Sequence, residues 1–130
     1  MTDFVHVAVA IERPLAEVYA FAANPANLPQ WASGLTTSLE RDGDAWVAES
    51  PIGRIAIRFA AANDFGVLDH WVTLPSGSTE YNPVRAFSDG EATQVVFSVH
   101  RSPGFDDDQF AADAATVRAD LETLRELLER

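Results

Sequence analysis

The stretch "FDDDQFAADAATVRADLETLRELLE", residues 105 to 129, decides the fold. Asp106 followed three residues later by Gln109 has the spacing of a capping box, and the acidic turn between them suits the positive end of a helix dipole. Phe110, Ala114, Val117, Leu121, Leu124 and Leu128 then recur at helical spacing and mark one apolar face of a long helix. Such a stripe needs an apolar surface to cover it, and the chain upstream reads mostly as sheet.

Residues 4 to 11, "FVHVAVAI", alternate Val5, Val7, Val9 and Ile11 with Phe4, His6, Ala8 and Ala10, the pattern of a strand with its β-branched side inward. In "RPLAEVYAFAAN" the period becomes helical: Pro14 fits a first helical position, Leu15, Val18, Tyr19 and Ala22 follow, and Asn24-Pro25 ends the helix. "NPANLPQW" is one helical turn or a loop ending on Trp31. From residue 35 to 101, the turn signals "RDGD", "SPIG", "NDFG", "PSGS" and "SDG" separate six short strands, and tight hairpins join only antiparallel strands. The prediction is an α+β fold in one domain, residues 1 to 130. A curved antiparallel sheet of about seven strands wraps the long C-terminal helix, with one or two short helices after the first strand.

Composition excludes several functions. The 130 residues are 47% hydrophobic, enough for one substantial core. The net charge is -11, and the nine cations are all scattered arginines, so neither nucleic acid nor an anionic membrane meets a basic patch. Residues 105 to 130 hold eight Asp or Glu against three Arg, which reads as the solvated side of a helix or as an acidic docking surface. With no cysteine there is no disulfide, thiolate metal site or thiol nucleophile. No run reaches the roughly 18 apolar residues of a membrane span, and "MTDFVHVAVAIERP" lacks a basic n-region and a cleavage site, so a cytoplasmic location is expected. No Walker loop, dinucleotide fingerprint, G-x-S-x-G or H-E-x-x-H occurs, "DDD" at 106 to 108 lacks the spacing of a calcium loop, and no cofactor is expected.

"GVLDHWVTLP", residues 66 to 75, sets Asp69, His70 and Trp71 side by side, but alternation along a strand puts His70 on one face and its two neighbours on the other. Hairpins without bulges set Leu39 opposite Trp46, Trp46 near Ile57, Phe59 opposite His70 and Val72 opposite Tyr81. These residues share one apolar face with Ile55 and Leu68. The other face carries Ala56, Arg58, Ala60, Asp69 and Trp71, with Arg58 and Asp69 as a diagonal charge pair. Pro83 cannot donate to a ladder and marks an edge or a bulge. Beyond it, Val95, Phe97 and Val99 read as inward, Ser98 and His100 as outward, and Arg85 as either a carboxylate contact or a surface charge. His6 also reads as outward, so the three histidines do not converge and no metal site is expected.

Three stretches, "VAIERPLAEVYAFAANPANLPQWASGL", "FGVLDHWVTLP" and "RSPGFDDDQFAADAATVRADLETLRELLE", resemble the polyketide cyclase/dehydrase-like branch of the START-related (SRPBCC) superfamily. The resemblance covers nearly the whole chain and is carried by the entry at Arg13-Pro14, by Trp31 and by the aspartate-led last helix, none of which is a catalytic signature. It implies the helix-grip fold, in which a curved antiparallel sheet wraps the C-terminal helix and leaves a ligand cavity between them. Fold alone does not decide function.

The first functional reading is therefore binding of a small hydrophobic molecule, aromatic, polyketide-like or lipid-like, by Trp31, Trp46, Ile57, Phe59, His70, Val72, Tyr81, Phe97, Val117 and Leu121. The second is a cyclase or dehydratase with His70 and Tyr81 as acid-base groups. A third is a protein-partner module using the acidic helix or the Ala-rich outer sheet, and a homodimer is left open. Trp31 is either a lid over the cavity or a plug sealing its end. The identity of the ligand is not written in the sequence.

Overall fold

Alternation makes Phe4–Ile11 a strand, β1, with Val7, Val9 and Ile11 buried and Val5 exposed at its outer end. The computed structural model describes residues 2–32 and 38–130. Pro14 does not enter the helix that follows, α1 (Leu15–Ala22). It is the N-cap, its ψ of 149° turning the chain out of β1 before the first helical residue. Of the two readings of "NPANLPQW" the helical one holds: a 3-10 turn, Pro25–Asn27, runs into the single turn α2, Leu28–Trp31. Asn24 starts it by accepting from the Ala26 N–H at 3.1 Å.

Seven strands come next: β2 (Glu40–Asp42), β3 (Ala45–Ser50), β4 (Gly53–Phe59), β5 (His70–Thr73), β6 (Thr79–Asn82), β7 (Val84–Asp89) and β8 (Ala92–His100). They form two antiparallel sheets with β1, in the orders β1-β8-β7 and β2-β3-β4-β5-β6. Pro83 explains the eighth strand. Lacking an N–H, it interrupts what alternation reads as one strand, so β6 pairs with β5 in one sheet and β7 with β8 in the other.

The "NDFG" signal is not a tight hairpin but part of the long connection between β4 and β5. Asn63 organises it, its side-chain oxygen accepting from the N–H of Phe65 and Val67 at 2.9 and 3.0 Å. The connection then joins the two sheets: Leu68 N–H donates to Val84 O and Ala86 N–H to Gly66 O, both at 2.8 Å. Gly66 has φ +70°, and a Cβ there would lie 1.9 Å from the Ala86 carbonyl oxygen, so only glycine permits this approach.

Two hairpin registers differ from expectation. The first turn is centred on Gly43-Asp44, so Arg41, not Leu39, faces Trp46; the shift of two residues preserves the face. The turn after β5 closes around Pro75-Ser76-Gly77, with Gly77 at φ +92° and its N–H on Leu74 O at 2.9 Å, a three-residue loop of the bulged kind. That odd count slips the register by one: Val72 faces Glu80, and Tyr81 faces Trp71. Tyr81 is thereby moved to the opposite side of the sheet from His70. The pairings Trp46 with Ile57 and Phe59 with His70 are as expected.

The last helix, α3 (Asp107–Glu129), starts with the capping box: Asp106 accepts from Gln109 N–H at 2.8 Å, and the Gln109 side chain accepts from Asp106 N–H at 2.9 Å. It packs on β1 and also against β8 and α2. Only its second half is fully sealed, through Leu121 and Leu124 at 1% and 0% exposure. The first half borders open space.

Candidate functional site

Where α3 stands off the sheet there is a pocket of about 310 Å³. Ile55, Val72, Phe97 and Val99 give it an apolar floor from β4, β5 and β8, and Leu28 and Trp31 of α2 close one end. Val117 faces the floor from α3, while Ile52, exposed in the turn between β3 and β4, stands at the mouth.

His70 is the polar group in the floor. Alternation turns it inward, and it is only 8% exposed. Phe59 stacks on it with ring centroids 5.3 Å apart, and Phe97 meets it edge-on at 5.7 Å. Burial disfavours the imidazolium more than the Leu68 carbonyl and the Asp69 charge favour it, and the pKa falls to about 4. The ring is therefore neutral near pH 7. Nδ1 lies 3.4 Å from the Leu68 carbonyl, which can only accept, so the proton sits on Nδ1 and Nε2 is an acceptor. Among the described residues nothing donates to Nε2.

Trp31 is the complementary group. It is 7% exposed, and its Nε1 is buried with no hydrogen-bond partner. An orphaned donor of this kind costs about 1–3 kcal/mol. Its position at the pocket end lets a bound acceptor satisfy it.

Of the residues expected to meet a ligand, Trp31, His70, Val72, Phe97 and Val117 border the pocket. Ile57 and Leu121 do not; they are core, at 0% and 1% exposure. Phe59 lies against His70, and Trp46 sits beside Ile57 with the Arg41 guanidinium 6.0 Å from its ring centre. Tyr81 is on the far face, where its hydroxyl donates to Asp69 at 2.5 Å and its ring stacks on Trp71 at 5.3 Å. Asp69 also accepts from Val84 N–H at 2.9 Å and from Arg85 Nε and Nη2 at 2.9 and 2.7 Å. Burial raises the Asp69 pKa, but the bonds from Arg85, Tyr81 and Val84 together outweigh it and hold the carboxyl below its usual range. Arg85, not Arg58, is thus the partner of Asp69. His70 and Tyr81 cannot form an acid-base pair.

The polar rim went unread in the sequence. Glu80 and Asn82 reach it because of the register slip at Gly77, and Asp113, Thr116 and Asp120 flank Val117 on α3. His100, read as outward, also borders the pocket. As the last residue of β8 it keeps its strand pairing with Phe4, while its ring lies near enough to Asp113 to favour that carboxylate. Reading only the apolar stripe of α3 hid these neighbours.

No family model matches the chain, and no curated protein matches it. Solved structures do. DynU16, described as a protein in the dynemicin biosynthetic locus, has a TM-score of 0.72 and 20% identity over 98% of this chain, which spans 47% of DynU16. The Aha1 dimer from Colwellia psychrerythraea has a TM-score of 0.73 and 14% identity, covering 98% of this chain and 96% of that one. Ara h 8.0201 has a TM-score of 0.69 and 11% identity, covering 98% of both. Element order, the long last helix gripped by antiparallel sheets and these likenesses lead to one conclusion: the chain has the helix-grip fold of the START-related superfamily.

Proposed function

We propose that the chain binds a small, largely apolar molecule in the pocket between the sheets and α3. The observation that carries this reading is the pair of unsatisfied, complementary polar atoms in an otherwise apolar site: Trp31 Nε1 as donor and His70 Nε2 as acceptor. A ligand hydroxyl or amide can answer both. Aromatic, polyketide-like and lipid-like bodies all suit such walls. Native mass spectrometry of the purified protein, with Val117→Trp as a pocket-filling control, tests it. The expected result is a copurifying or added apolar ligand retained by the parent and lost in the variant; equal retention by both would remove the pocket as the site.

The cyclase or dehydratase reading is weaker. His70 is neutral with a pKa near 4, so it is a poor proton donor near neutral pH and a weak base, and Tyr81 is held by Asp69 on the other face. Turnover would then rest on shape, with the pocket holding a reactive chain near its attack geometry.

A further inference from the structure

The apolar pocket has a mouth of one charge sign. Glu80 on β6 and Asp113 on α3 both border it, no arginine does, and the chain has no lysine. Among the described residues neither carboxylate receives a hydrogen bond or an ion pair from the protein. Burial raises the Asp113 pKa, the nearby Glu80 charge raises it further, and His100 opposes both. Two neighbouring carboxylates left without donors at the rim of a low-dielectric cavity are a costly arrangement for an empty or neutral site. It is also a poor place for a fatty-acid or other carboxylate head. A metal ion does not explain it, because no three metal-ligating side chains converge among the described residues. The second indication of a ligand is at the other end, where the buried Trp31 N–H lacks an acceptor.

We propose that the pocket selects an amphipathic amine: an apolar, preferably aromatic body over Val72 and Phe97, a hydrogen-bonding oxygen at Trp31 and His70, and an ammonium group at the mouth between Glu80 and Asp113. The proposal rests on the pocket being the ligand site. Charge-assisted bonds from an ammonium to partly desolvated carboxylates are stronger than neutral ones, and a neutral or anionic head at the same place leaves the carboxylates unanswered or repelled. Discrimination between otherwise equal ligands therefore resides at the mouth. Affinity for the body resides in the floor.

The test uses three probes on one scaffold, 2-(2-naphthyl)ethylamine, 2-(2-naphthyl)ethanol and 3-(2-naphthyl)propanoate, titrated by calorimetry at low and high salt. The amine is expected to bind at least about tenfold more tightly than the alcohol, roughly 1.4 kcal/mol, with the propanoate weakest and the amine's advantage shrinking as salt rises. Glu80→Gln/Asp113→Asn should abolish the preference and leave the alcohol unchanged. Val117→Trp should abolish binding of all three. If the alcohol or propanoate binds the parent as well as the amine, or the double variant keeps the preference, the ammonium proposal is wrong while the pocket reading stands. If Val117→Trp leaves binding intact, or no probe binds, the pocket reading fails and takes the proposal with it.

Discussion

The Tyr81 hydroxyl donates to Asp69 Oδ2 at 2.5 Å, on the face of the sheet turned away from the pocket. Asp69 accepts from Tyr81, from Arg85 twice and from the Val84 N–H, and so fastens β5, β6 and β7 together where Pro83 breaks the strand. Its carboxyl is held below the usual range. A carboxyl with a lowered folded pKa contributes stability that is complete above its unfolded value and is lost as pH falls through the folded one. Asp69→Ala should therefore cost about 1–3 kcal/mol at neutral pH, because the Val84 N–H is left unpaired, and should flatten the acid limb of a stability profile. Tyr81→Phe should cost about 1 kcal/mol or less, since Tyr81 is exposed. Urea melts across the acid range check both, and pocket binding should be unchanged in each.

The two halves of α3 predict opposite responses to truncation. Leu121, at 1% exposure and away from the pocket, is core, and Leu121→Ala should cost about 2–5 kcal/mol with little effect on a bound ligand. Val117 borders the pocket, so Val117→Ala should cost less and alter ligand affinity. Denaturant melts paired with calorimetry on the naphthyl probes separate the two.

Gly66→Ala should be far more damaging than a surface glycine change. The new methyl would lie 1.9 Å from the Ala86 carbonyl oxygen, which accepts the return bond of the junction between the sheets, and φ +70° disfavours any side chain. Loss of soluble folded protein or a destabilisation above about 2 kcal/mol is expected, against a minor effect for Gly90→Ala, whose Cβ would meet nothing within 4 Å. Thermal melts of the two variants make the comparison.

What was legible in the sequence was periodic. The capping box at Asp106 and Gln109, the stripe ending in Leu121 and Leu124, the alternation of β1 and the inward turn of His70 all follow from local spacing. What was not legible depended on counts inside turns. One extra residue at Gly77 sent Tyr81 to Asp69 and brought Glu80 to the pocket, since a slip of one exchanges the faces of every later residue in the strand. The sheet junction at Gly66 and the Asp69 to Arg85 pair lie across sequence distances that no local period reports.

His70 supplies the sharpest pH dependence. Its folded pKa of about 4 lies below the 6.5 of the unfolded chain, so the unfolded state takes up a proton first as pH falls. Stability from the neutral ring is complete above pH 6.5 and is lost progressively as pH drops toward 4. The span corresponds to about 3 kcal/mol for a nearly fully buried group. His70→Gln, neutral throughout, should remove that slope while leaving the acid limb due to Asp69. Urea melts of parent and variant at pH 7 and at closely spaced lower values read the difference directly. The same variant tests the ligand contact: glutamine offers an amide in place of Nε2, so binding of the naphthyl alcohol should weaken by about 1 kcal/mol. An unchanged slope would mean that the imidazole is hydrated in the folded state, and an unchanged affinity would mean that no ligand group meets it.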